Sequence, residues 1–212
     1  MKKRLVFLGP PGAGKGTQAI IISRKYSFER IATGDILREA IAEKSELGLR
    51  AKIFMDNGAL VPDEVVNGIL SARLKKTTNG FILDGYPRTK EQAEFIGSIA
   101  DIELVIYFDA PEDLLVQRII NRRICPRCNA VYNLREFPPK VDNRCDLDGV
   151  ELVHRSDDTE DVTRQRIRIF WQKTAPLVDY YFHMGLLTKI SAWKGTADVT
   201  EEICIAIGAS QR

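Results

Sequence analysis

The chain has 212 residues, 31 Lys+Arg against 29 Asp+Glu, a formal net charge of +2, 44% hydrophobic and 28% charged residues. That is an ordinary globular mixture, which excludes collagen-like, disordered and disulfide-scaffold classes and leaves room for one generous domain with insertions. Near-neutral charge argues against a general nucleic-acid binder, and no apolar run approaches the ~18 residues of a membrane span.

Leu5–Leu8 is the first expected strand. It follows basic residues but is too short for a signal-peptide core, and Gly9 and Pro10 close it. Next come a helix over Lys15–Tyr26, a less regular strand at Phe28–Ile31, a helix over Gly34–Glu43 and a helix pair spanning Leu49–Lys75. A strand at Phe81–Leu83, a helix over Glu91–Ile99, a strand at Leu104–Phe108 and a helix over Glu112–Arg123 continue the alternation. Val162–Phe182 reads as a helix, Leu187–Ile190 as a strand and Asp198–Ile207 as a last helix. Short apolar strands alternating with longer helical patterns predict an α/β fold with a largely parallel central sheet.

Two stretches break the alternation. Residues 33–61 place two short helices between strands, as a small helical insertion would. Residues 125–158 show no helical period, and so short a segment cannot bury enough surface to order itself. Something else must hold it.

Gly9-Pro-Pro-Gly12-Ala13-Gly14-Lys15-Gly16-Thr17 follows the first strand directly. Glycines let successive backbone N–H groups turn inward as an anion nest, and the helix that follows adds its positive end. Lys15 supplies a mobile charge for the β and γ phosphates. The general phosphate-loop pattern has Ser or Thr straight after the lysine, whereas here Gly16 intervenes before Thr17.

Ala32-Thr33-Gly34-Asp35-Ile36-Leu37-Arg38, Phe81-Ile-Leu-Asp84-Gly85-Tyr86-Pro87-Arg88-Thr89 with Gln92, and Arg118-Ile-Ile-Asn-Arg122-Arg123 follow. Arg155-Ser-Asp157-Asp158, Arg166 and Thr174-Ala175-Pro176-Leu177 complete the set. From residue 4 to about residue 208 these motifs closely resemble the adenylate kinase family, in its bacterial long-lid, metal-binding form. The resemblance implies a P-loop three-layer α/β fold and the reaction ATP + AMP ⇌ 2 ADP with Mg²⁺. It implies a core of residues 1–32, 62–124 and 159–212, an AMP-binding insertion at 33–61 and a zinc-bound lid at 125–158. A monomer in the cytoplasm, working on ATP, AMP and ADP without nucleic acid or membrane, is the corresponding expectation.

The same resemblance assigns Lys15 and Arg122 to the ATP phosphates, Arg38 and Arg88 to the AMP phosphate, and Arg155 and Arg166 to the transferring group. Asp84, ending a strand at the carboxyl edge of the sheet, is expected to hold hydrated Mg²⁺. Thr33, Arg38, Gly85, Tyr86, Pro87, Arg88 and Gln92, with the main chain at Ala59, Leu60 and Val61, make the expected AMP side, which Arg155 and Arg166 also face. The Gln92 amide can donate and accept at an adenine edge. Tyr86 stands where the family more often has phenylalanine. Gly12 through Thr17, Arg118, Arg122, Val131, Tyr132 and the backbone near Ala197 make the ATP side, with Arg118 able to stack on the base. Asp157 and Asp158 read as groups that orient neighbouring arginines or the metal waters rather than as bases.

Cys125-Pro-Arg-Cys128 and Cys145-Asp-Leu-Asp148 read as two knuckles of a tetrahedral zinc site, with Asp148 as the fourth ligand and Asp146 or His154 as substitutes. A filled four-ligand site leaves no position for chemistry, so the zinc is expected to be structural. Cys204 lies on an apolar helical stripe and reads as a core residue. A zinc-ribbon nucleic-acid module would account for the knuckles and for Arg122, Arg123 and Arg127, but not for the phosphate loop. Within the enzyme class, a nucleoside monophosphate kinase with another donor or acceptor is the alternative.

Overall fold

The computed structural model describes residues 1–209; residues 210–212, the end of the expected 159–212 segment, lie outside the described residues. The first half of the chain runs β1 (Arg4–Leu8), α1 (Lys15–Tyr26), β2 (Glu29–Ala32), α2 (Thr33–Ala42), α3 (Glu46–Asp56), α4 (Asp63–Leu74), β3 (Phe81–Asp84), α5 (Lys90–Ile99) and β4 (Leu104–Asp109). It continues with α6 (Glu112–Ile120), β5 (Arg122–Ile124), β6 (Val131–Asn133), α7 (Glu160–Ile169), a π-helical turn (Phe170–Thr174), α8 (Pro176–His183), β7 (Leu187–Ser191) and α9 (Thr196–Ala206).

Five of the strands form one parallel sheet in the order β2-β3-β1-β4-β7. Successive side chains of a strand point to opposite faces, which builds a core on each side. Leu5 and Phe7 pack with Ile22 of α1, Leu115 of α6 and Ile203 of α9. Val6 and Leu8 pack with Leu70 of α4, Ile96 of α5 and Tyr181 of α8. The result is the three-layer α/β fold with helices on both faces of a parallel sheet. Phe7 lies in register with Asp84 on one side and Ile106 on the other, so Asp84 ends its strand beside the start of the phosphate loop.

Between β2 and α4, α2 and α3 pack as a helical hairpin. Ser45 caps α3 by accepting from the Gly48 N–H at 3.1 Å while donating to the Ala40 carbonyl at 3.0 Å. The helices approach so closely that a Cβ on Gly48 would lie 2.0 Å from the Ala40 oxygen. Only glycine fits there.

Two helices end or break short of their expected extents. The one expected over Glu112–Arg123 stops at Ile120, because Arg122–Ile124 pair antiparallel with Val131–Asn133 in a separate hairpin. The one expected over Val162–Phe182 starts at Glu160 and is interrupted at residues 170–174. Pro176 has no N–H to continue the α ladder, and the Ala175 N–H reaches back five residues to the Phe170 carbonyl at 2.8 Å. Cys204 is only partly buried; it packs against the core and accepts from the Tyr26 hydroxyl at 3.2 Å. No helix among the described residues is long and apolar enough to cross a membrane.

Candidate active site

One cleft of about 330 Å³ opens at the carboxyl ends of β1 and β3 and is lined by residues 11–18, Asp84, Arg88, Arg122, Arg155 and Arg166. The loop from Gly9 to Gly14 forms its floor. Gly12 has φ +86°, and a Cβ there would sit 2.6 Å from the Leu115 carbonyl oxygen, so glycine alone lets the loop press against α6. Lys15, the first residue of α1, folds back so that Nζ donates to the Gly9 carbonyl at 2.6 Å and the Pro10 carbonyl at 2.8 Å. Burial pushes its ammonium down to about 7; Asp84 opposes this, and Arg88, Arg166 and Arg122 reinforce it.

Besides Arg118, six arginines line the same cleft. Arg122 grips Asp158 through Nε at 2.8 Å and through a second guanidinium bond, a bidentate pair on a fully buried carboxylate. Arg166 holds Asp157 at 3.1 Å and Asp158 at 3.4 Å. Arg38 pairs with Asp35 and reaches Asp157 at 3.7 Å, Arg155 meets Asp35 at 2.9 Å, and Arg30 bridges Asp35 at 2.8 Å and Asp84 at 2.7 Å. Arg88 is different: Nε donates to its neighbour Gly85's carbonyl at 2.7 Å, and no carboxylate lies within 4.0 Å among the described residues. Burial, with Arg166 and Arg38 next, lowers its guanidinium to about 10. Burial also lowers Arg155 to about 9, helped by Arg38 and Arg122. Cations outnumber carboxylates in the cleft, and a polyphosphate is the natural neutralising partner.

A smaller cavity beside the cleft is lined by Thr33, Ala59, Leu60, Val61, Gly85, Arg88 and Gln92. Thr33 Oγ1 donates to the Gly85 carbonyl at 3.2 Å, and Gln92 is buried with both amide ends bonded. Pro87 lines the larger cleft, but Tyr86 does not line either space: its ring is buried in the core and its hydroxyl donates to Asn67 Oδ1 at 2.7 Å. The extra hydroxyl thus ties the strand exit to α4. In the π turn, the Thr174 hydroxyl donates to the Arg88 carbonyl at 2.8 Å and fixes that backbone.

Towards the other end of the cleft, Arg118 donates to Glu136 at 2.9 Å and to the Ala192 carbonyl at 2.7 Å, near Val131 and Tyr132. Ala192, Lys194, Gly195 and Thr196 line that end, whereas Ala197 is exposed in the first turn of α9 and is not among the lining residues.

Cys125, Cys128, Cys145 and Asp148 lie with their ligand atoms all within 4.8 Å of one another. Asp146 is turned away, accepting from the Lys140 N–H at 2.8 Å, and His154 is exposed. Three sulfurs and one carboxylate oxygen in a compact group suit a tetrahedral zinc ion. The Tyr132 hydroxyl accepts from the Asp146 N–H at 2.8 Å and lies 3.5 Å from Cys145 Sγ, linking this group to the cleft wall.

Arg30 and Asp35 carry much of the charge network yet were not expected as site residues. Arg30 sits in the less regular second strand with no motif around it. Asp35 stands inside a quoted motif, but only the fold shows that three arginines converge on its carboxylate.

The adenylate kinase family model matches residues 7–186 of the chain. A protein named adenylate kinase from Archaeoglobus fulgidus is 50% identical over 206 residues, covering 94% of this chain and 95% of that protein. One of the same name from Thermotoga neapolitana is 46% identical over 220 aligned residues, covering 100% of both, and one from Clostridium botulinum (strain Loch Maree / Type A3) is 42% identical over 212 residues, covering 97% and 98%. A match of that extent, in a chain whose cleft gathers phosphate-seeking cations, makes this protein a member of the adenylate kinase family, and with it a phosphotransferase.

Proposed function

We infer that the chain transfers the terminal phosphoryl group of ATP to AMP, reversibly, giving two ADP, in the cleft at the carboxyl ends of β1 and β3. The observation that carries the reading is the pair Lys15 and Arg88. Both are partly buried cations without a carboxylate partner within 4.0 Å among the described residues, although every other arginine lining that cleft has one. A desolvated unpaired cation is costly until an anion meets it. Two such cations supply one phosphate site on each side of a transferring group.

Lys15, with the backbone of Gly12, Ala13, Gly14, Gly16 and Thr17, holds the donor phosphates, and Arg122 joins them. Arg88 and Arg38 hold the acceptor phosphate. Arg155 and Arg166 neutralise the charge that spreads over the moving phosphoryl group. The acceptor oxygen belongs to a phosphate already ionised near neutral pH, so no side chain need remove a proton. Asp157 and Asp158 accordingly orient arginines. In-line transfer then depends on positioning and charge, as phosphoryl transfer generally does.

Arg118, Val131 and Tyr132 border the donor base, with the backbone near Ala197 beyond them. Thr33, Gln92 and the Ala59–Val61 backbone border the acceptor base. Both Arg30 bonds to Asp84 fall on Oδ2, so Oδ1 keeps its lone pairs for a hydrated cation. Mg²⁺ suits that single carboxylate beside phosphate oxygens, and when bound it supplies charge neutralisation. Zinc on Cys125, Cys128, Cys145 and Asp148 orders the lid, residues 125–158, which excludes water from the transferring group. Residues 1–32, 62–124 and 159–212 form the core and 33–61 the acceptor insertion. The protein works as a cytoplasmic monomer on ATP, AMP and ADP, without nucleic acid or membrane.

A coupled assay of ADP formation from paired nucleotides tests the reading. ATP with AMP is expected to be the fastest pair. A faster rate with another acceptor or donor, or no ADP from ATP and AMP, would overturn it.

A further inference from the structure

Gln92 is buried, and both ends of its amide are committed. Oε1 accepts from the Arg88 N–H at 2.8 Å, and Nε2 donates to Asp63 Oδ1 at 2.6 Å. Asp63 is itself anchored, since the Thr89 hydroxyl donates to its Oδ2 at 2.7 Å and accepts from the Gln92 N–H at 3.2 Å as the cap of α5. Asp63 opens α4, where a carboxylate also faces the positive end of the helix. Rotating the Gln92 amide by half a turn would set its NH₂ against a backbone N–H and its oxygen against a carboxylate, two repulsive contacts in a buried place. The amide therefore has one allowed orientation.

One lone pair on Oε1 and one N–H on Nε2 remain unused, and Gln92 lines the acceptor-side cavity. Adenine presents a donor at N6 and an acceptor at N1; hypoxanthine and guanine present the reverse order, an acceptor at O6 and a donor at N1. A freely turning amide would serve either base, whereas a fixed one serves a single order. We infer that Asp63 is the positioning residue that sets acceptor-base specificity, by locking the Gln92 amide in the orientation that matches adenine and mismatches 6-oxopurines. This rests on the reading that Gln92 borders the acceptor base. Asp63 does not line either cavity, so its role runs through Gln92.

The test compares kcat/KM for AMP and inosine monophosphate, at saturating ATP, in the wild-type protein, Asp63→Asn and Gln92→Leu. Asparagine keeps the shape but can face Gln92 with either a donor or an acceptor. Asp63→Asn is expected to lower the AMP:IMP ratio by about tenfold or more, on the scale of one buried hydrogen bond, with kcat for AMP within about threefold of wild type. A folded Asp63→Asn protein whose KM rises equally for both acceptors, leaving the ratio unchanged, overturns the proposal, because a purely structural capping role predicts that result. If Gln92→Leu leaves the ratio unchanged, the underlying reading of Gln92 fails, and the proposal with it. If Gln92→Leu collapses the ratio while Asp63→Asn does not, only the proposal fails. Should Asp63→Asn not fold, Thr89→Val, which releases the carboxylate from its other anchor, must lower the ratio in the same direction; an unchanged ratio there overturns the proposal.

Discussion

Arg155 and Asp35, 120 positions apart in sequence, meet at 2.9 Å and join the segment just before α7 to the first turn of α2. Burial pushes the Asp35 carboxyl up, but Arg38, Arg30 and Arg155 outweigh it and hold the group well below the usual carboxylate range. With the folded value depressed, its contribution is fully present above the unfolded carboxylate value and is lost only as pH falls towards the folded one. The Asp35 side of the contact is therefore constant from about pH 5 upward, while the Arg155 side, lowered to about 9, weakens as pH rises through that value.

Asp35→Asn leaves three guanidinium groups facing one another without their shared anion. Loss of this charged hydrogen-bond set costs about 1.5–3 kcal/mol, so hydrogen exchange in α2 and in the β5–β6 hairpin should quicken at least tenfold. Unchanged exchange in both segments would show that the pair does not hold them together.

Lys15 gives a pH signature of its own. Its folded value, about 7, lies below the usual 10.5. Between those values the folded, nucleotide-free chain binds fewer protons than the unfolded one, so this group favours folding increasingly as pH rises. Phosphate anions raise the value again, so nucleotide binding above pH 7 should take up a proton and weaken with increasing pH. Calorimetry in buffers of different ionisation enthalpy measures that uptake, which Lys15→Met should abolish. The same substitution should lower kcat by ~10²–10³, the scale for losing a donor to transition-state charge.

Arg88→Lys tests whether the acceptor phosphate needs a fork. Arg88 spends Nε on the Gly85 carbonyl and keeps its other two nitrogens for the cleft; lysine cannot do both. The kcat/KM for AMP should fall more than tenfold, with ATP binding alone little altered. Normal AMP kinetics would remove Arg88 from the acceptor site.

Among the described residues, the proposed lid segment has a small buried apolar cluster of Cys125, Tyr132, Cys145 and Leu152, and two of these are expected metal ligands. Metal analysis should find one zinc per chain. Chelation in the presence of a thiol blocker, or Cys128→Ser, should lower the thermal midpoint by ~2–8 °C, the shift expected from a loss of ~1–2 kcal/mol in a chain of this size. Asp148→Cys should retain the metal. A metal-free wild-type protein that melts unchanged on chelation would exclude this role.

The phosphate loop was legible because its residues are consecutive and lie between a strand and a helix, so local physics was enough. β1, β3 and β4 were legible because each is an apolar run ended by a turn residue, whereas β2, Glu29–Ala32, mixes charged and apolar side chains and read less regularly. Charge pairing was not. Arg30 looks like any strand-edge arginine until the parallel register brings Ala32 beside Asp84. Asp63 reads as an ordinary first-turn acid, while its partner Gln92 lies 29 positions away. Arg122 continued a helical pattern, but hairpin pairing with Asn133 overrode the local preference. Tyr86 looked like a variant of a nucleotide-contacting position, and only packing shows its ring turned into the core.

The close seat of Gly48 on Ala40 bears on how the molecule flexes. With no side chain between them and the Ser45 hydroxyl stapling the turn, α2 and α3 have almost no freedom to slide or splay. The hairpin therefore behaves as a stiff paddle. Any swing towards or away from the nucleotides must be absorbed at its two attachments, where the chain leaves β2 at Ala32–Thr33 and where it enters α4 through Val61–Pro62.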